Sequence, residues 1–196
     1  MINFVKKDSF VIPIIFTLIY HFSGRQPNAV KECADANWGD WRPHLAMILS
    51  NAGSKKKYDG LDLRSITTLG ESLAEKGYFW AGQFCSLMAK QPFGNYNQKN
   101  VKLVLLGADR TLPFEQFATT EAIQMTEIFE YSQKLSNPDF VQPSFLYYKF
   151  LYAIRLLDFG FASQALHYLE ELAKAVTKHP QDLDPDLAKV MNQVYK

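Results

Sequence analysis

The sequence lacks any long run of like charge. Twenty-one Lys and Arg stand against twenty Asp and Glu, so the one-signed field that gathers nucleic acid or acidic lipid is missing. The one locally basic stretch, SKKKYD (Ser54 to Asp59), reads as a solvated loop, because so short a patch releases few counterions. Cysteine is scarce too. Cys33 and Cys85 lie far apart without zinc-ligand spacing, which argues against a disulfide framework or a cysteine metal site and suits a reducing compartment. No apolar run is long enough to span a bilayer. The nearest, FVIPIIFTLIYHF (Phe10 to Phe22), follows Lys6 and Lys7 and imitates a signal peptide. The bulky Tyr20, His21 and Phe22 stand where a cleavage site wants small residues, so the stretch is read as a buried helix with Pro13 in its first turn.

Catalytic signatures are missing in the same way. KLVLLGADR (Lys102 to Arg110) looks like a buried strand entering a glycine turn, but it holds one glycine where a phosphate cradle needs several and a capped helix behind them. A connecting segment between helices is the plainer alternative. His167, Glu170 and Glu171 lie one turn apart in HYLEE, as metal ligands can, yet no second helix carries a matching His and Glu. They are read as a solvated polar face. His21, His44 and His179 have no nucleophile or orienting acid at recognisable spacing. The expectation is a protein without enzymatic activity, cofactor or metal site.

What is present is apolar and periodic. The 196 residues are 47% hydrophobic and 14% aromatic, enough for one good core and a single helical domain over residues 1–196. Helix follows helix. Asp62 is placed to cap a segment with Leu63, Ile66, Leu69 and Leu73 on one face, and Gly77 stands just past its end. Tyr78, Ala81, Cys85 and Met88 mark the next helix, whose small Ala81 and Gly82 would let its neighbour approach closely. Thr119 or Thr120 with Glu121 opens a helix with Ala122, Met125 and Phe129 on one side, running to about Leu135. Pro143 starts a segment that is apolar nearly all round, hence expected to be buried between neighbours, and Gly160 closes it. Ala162, Ala165, Leu169, Leu172 and Val176 mark a further helix, and Asp184 with Pro185 begins a last one through Leu187, Val190, Met191 and Val194. No strand pair is evident.

Two hairpins resemble each other. LAEKGYFWAGQ (Leu73 to Gln83) and LLDFGFASQAL (Leu156 to Leu166) share a Leu, a Gly four residues later, an aromatic directly after it, and a small residue, Gly82 or Ala165, five after the Gly. A tight turn followed by close packing is how stacked hairpins build an α-solenoid. The chain has no regular period, so strict tetratricopeptide or HEAT arrays are not supported.

One stretch, NWGDWRPHLAMILSN (Asn37 to Asn51), concentrates aromatics and charge at a helix entry. With Asp40 as cap, Trp41, Leu45 and Ile48 share one face, and Pro43 sits in the first turn where its missing N–H is tolerated. Trp41 is then core. Trp38 shapes the preceding turn, and Arg42 and His44 are left for the surface, so Trp38, Arg42 and His44 are the candidate partner contacts.

WGDWRPHLAMILSN, LGESLAEKGYFWAGQFCSLMA, KLVLLGADRTLPFEQFATTEAIQMTEIFEY and ALHYLEELAK together resemble the central conserved domain of the Sec-sixteen family, the scaffold of endoplasmic-reticulum exit sites. They run in order from about Ser23 to Lys178. The resemblance implies an all-α ancestral coatomer element: an irregular α-solenoid of stacked hairpins that folds back on itself, shared with the COPII cage subunit and several nuclear-pore scaffold proteins. In that family the domain binds the Sec-thirteen β-propeller by donating a β-blade from just before the helices. That blade is not recognisable here, residues 1–11 match nothing in the family, and the chain looks like the later part of the domain. The resemblance carries over no catalytic residue, because such a domain works by shape.

The expected function is therefore a non-enzymatic scaffold of the COPII coat. It would act peripherally at the cytosolic face of the endoplasmic reticulum, at exit sites or Golgi-proximal membrane, with coat proteins and a second copy of itself as partners and no nucleic acid. The alternative is a helical-repeat adaptor that takes a peptide or partner helix in a groove.

Overall fold

The computed structural model describes residues 29–32, 40–54, 60–178 and 187–189. They are all-α: strand pairing among the described residues is limited to a single bridge between Phe93 and Leu103. Phe10 to Phe22, Trp38, Cys33 and Lys55 to Asp59 lie outside the described residues. The chain divides into two compact units, one ending at Gln91 and one beginning at Pro92.

The first unit contains α1 (Ala29–Glu32), α2 (Trp41–Ser54), α3 (Gly60–Glu75) and α4 (Phe79–Met88). Ile66, Leu69 and Leu73 of α3 are fully buried, as their spacing predicts, against Val30, Leu45 and Ile48. The helix begins at Gly60, so Asp62 lies within its first turn rather than at the cap. Acidic residues are favoured both at a cap and in a first turn, so the two positions read alike in sequence. At the other end the Gly77 N–H donates to the Ala74 carbonyl (3.0 Å) and the Tyr78 N–H to the Leu73 carbonyl (2.8 Å). This is the Schellman arrangement, and it sets Gly77 at φ +85°.

The turn folds α4 back along α3. The packing stripe of α4 is small throughout, with Ala81, Gly82, Cys85 and Ala89 buried, because only small side chains let the axes close. Tyr78 and Met88, expected on this face, fall to its edge and are exposed.

The second unit contains α5 (Phe114–Phe117), α6 (Thr120–Ser136), a 3-10 turn (Pro143–Phe145), α7 (Leu146–Asp158) and α8 (Ala162–Lys178). Ahead of α5, Lys102 to Arg110 is a connecting segment and not a strand. Leu103 to Leu106 are buried; the Leu103 carbonyl accepts from the Gly94 N–H (3.0 Å) beside the bridge to Phe93, and a side chain serves Leu106. The Leu106 N–H donates to Thr126 Oγ1 (2.8 Å), which donates to the Ala122 carbonyl (2.8 Å). Arg110 gathers the loop before the segment, donating to the carbonyls of Tyr96 (3.0 Å), Gln98 and Val101.

Thr119 caps α6 by accepting from the Ala122 N–H (3.2 Å), with Glu121 in the first turn. The buried face of α6 is Ala122, Ile123, Thr126 and Glu130, not the Ala122, Met125 and Phe129 face read from sequence. Thr126 and Glu130 turn inward to satisfy the N–H groups of Leu106 and Gln142 (3.3 Å), and Met125 is displaced outward. Phe129 is half-buried and stacks on Phe93, centroids 5.3 Å apart.

The segment expected to be buried all round is only partly so. Phe145, Leu146, Tyr148 and Ala153 are buried, whereas Ile154, Leu157 and Phe159 are exposed. Arg155 reaches from α7 to the Ala118 carbonyl (2.6 Å) and Thr120 Oγ1 (3.3 Å), pinning the entry of α6. A second Schellman turn then joins α7 to α8, with Gly160 at φ +82°, its N–H on the Leu157 carbonyl (2.9 Å) and the Phe161 N–H on the Leu156 carbonyl (2.8 Å). Ala165, five residues on, is buried like Gly82, so the two look-alike hairpins share turn and packing position. Leu187 is buried with Leu146 and Leu172; the rest of the helix expected from Asp184 lies mostly outside the described residues.

Candidate interaction surfaces

At the entry of α2, Asp40 caps the helix by accepting from the Arg42 N–H (3.1 Å). The Arg42 side chain closes on the same carboxylate, with Nε 2.8 Å from Oδ2 and Nη2 2.6 Å from Oδ2. Hydrogen bonding from Arg42 holds the Asp40 carboxyl below the ordinary carboxylate range. Arg42 itself is exposed, and its charge is already matched by Asp40. Trp41 packs on the core beside Leu45 and Ile48, as the spacing predicts.

His44 departs from the sequence expectation. It is 1% exposed, so it is part of the packed face rather than the surface. Trp41, His44, Leu45 and Ile48 stand at i, i+3, i+4 and i+7, and all four belong to one helical stripe. Polarity does not exclude the i+3 position from the packed face. Trp38 lies outside the described residues.

Exposed apolar side chains form more extensive surfaces than this helix entry. On α4, Trp80, Phe84 and Met88 recur at i, i+4 and i+8, with Trp80 62% exposed. The ten residues FWAGQFCSLM contain no charge. A helix apolar on both faces is composed for burial on both, yet one face of α4 is open. On α6, Met125, Ile128, Tyr131 and Leu135 are exposed, Leu135 at 71%. Around the α7–α8 turn, Leu157, Phe159 and Phe161 are exposed. Sequence periodicity assigned Met125 to the core; the missing charge on α4 was the signal that could have marked its outer face.

Polar chemistry is thinner. His167, Glu170 and Glu171 are exposed on α8, and Glu171 is taken by Lys174 (2.7 Å), whose hydrogen bond holds that carboxyl below its ordinary range. Among the described residues no group of three His, Cys, Asp or Glu could hold a metal. Tyr168 donates to Glu127 Oε2 (2.7 Å) and meets Tyr152 edge-on. Burial first, then that carboxylate, pushes its phenol pKa up, so the group ties α8 to α6 and does not titrate near neutrality. No helix among the described residues is long and apolar enough to cross a membrane.

A family model described as the Sec16 Sec23-binding domain matches residues 12–196. The chain belongs to the Sec16 family. It is 51% identical over 172 residues to the human protein transport protein Sec16B, covering 87% of this chain and 16% of that protein. It is 44% identical over 178 residues to human Sec16A (91% and 7%). It is 34% identical over 177 residues to the COPII coat assembly protein SEC16 of Yarrowia lipolytica (89% and 7%). The chain thus spans between 7% and 16% of the length of these curated relatives. No solved structure gives a significant match.

Proposed function

We propose that the chain is a scaffold segment of COPII coat assembly, supporting endoplasmic-reticulum-to-Golgi transport by binding coat proteins through helix faces and without catalysis. The observation that carries this is the family match over residues 12–196 under a description that names Sec23 binding, joined to a relative named for COPII coat assembly. Sec23 is the first partner to test. The all-α hairpins and their exposed aromatic faces support it, because a protein that works by shape needs rigid elements with unpartnered apolar surface. The proposal includes an irregular solenoid architecture, a homodimer, and peripheral residence at endoplasmic-reticulum exit sites.

The test is cellular. The full-length protein carrying this segment, tagged and expressed from its own locus, should concentrate at exit sites, and its depletion should slow secretory cargo export. Even cytosolic distribution with normal export after depletion would overturn the proposal.

A further inference from the structure

We draw no further inference here: the strongest candidate, the uncharged outer face of α4 along which Trp80, Phe84 and Met88 are exposed, carries nothing because nothing in the structure shows what covers it.

Discussion

Gly70 and Gly82 lie back to back where α3 crosses α4. A Cβ on Gly82 would stand 2.9 Å from the Gly70 carbonyl oxygen, and one on Gly70 would stand 3.1 Å from the Gly82 oxygen and 2.8 Å from the Cys85 Cβ. The obstructing atoms are backbone and Cβ atoms, which cannot swing aside. The two glycines set the distance between the helices.

Gly82→Val should therefore destabilise the chain although valine is the better helix former. Overpacking typically costs about 1–3 kcal/mol, against a propensity gain of at most about 0.5 kcal/mol over glycine. Chemical denaturation should show a lower midpoint. An unchanged or raised midpoint would mean that the helices are not in contact there.

The three Schellman turns permit a ranked test. Gly77 and Gly160 hold positive φ with nothing within 4 Å of a built Cβ, so strain is separated from clash. Valine at either should cost roughly 1–3 kcal/mol. Lys90 occupies the equivalent position after α4 at φ +54°, with the Gln91 N–H on the Ser86 carbonyl (2.9 Å). Thermal melts should rank Lys90→Gly at or above the parent and Lys90→Val below it.

At the entry of α2 the two neighbours should behave oppositely. Arg42→Ala removes an exposed side chain and should stay within about 0.5 kcal/mol of the parent. His44→Ala empties a buried site and leaves whatever the imidazole served without it, about 1–3 kcal/mol. Equal melts for the two would contradict the burial of His44.

The Glu130–Lys149 pair is buried enough for one-sided removal to matter. Glu130→Leu should cost about 3–5 kcal/mol, because Lys149, 13% exposed, loses its counter-charge inside the fold. Glu130→Leu with Lys149→Met should recover most of that loss. A double variant no better than the single would show that the pair does not act as a unit.

The helices were legible in the sequence because local rules fix them: apolar spacing in α3, Thr119 as a cap, and Gly77 and Gly160 as turns. Inward-facing polar residues were not. His44, Thr126 and Glu130 are buried because they meet particular partners or fill a stripe, and neither hydropathy nor spacing shows that. The outward Met125, Leu157 and Phe159 were missed for the complementary reason: periodicity marks apolar residues as core, and these three face outward. Of the three candidate contacts, the structure leaves Arg42 exposed, buries His44 and does not describe Trp38. The more extensive apolar faces were found only once the helices had been paired.

The central claim is that this chain is a coat-binding scaffold, and direct titration against purified Sec23 tests it most simply. Calorimetry with the folded 196-residue chain should give saturable binding with a negative heat-capacity change, the mark of apolar surface leaving water. Trp80→Ser with Phe84→Ser, or Ile128→Ser with Leu135→Ser, each on an exposed face, should weaken that binding without lowering the melting temperature. A folded chain that releases no binding heat and gives no shift in sedimentation with Sec23 would contradict the account.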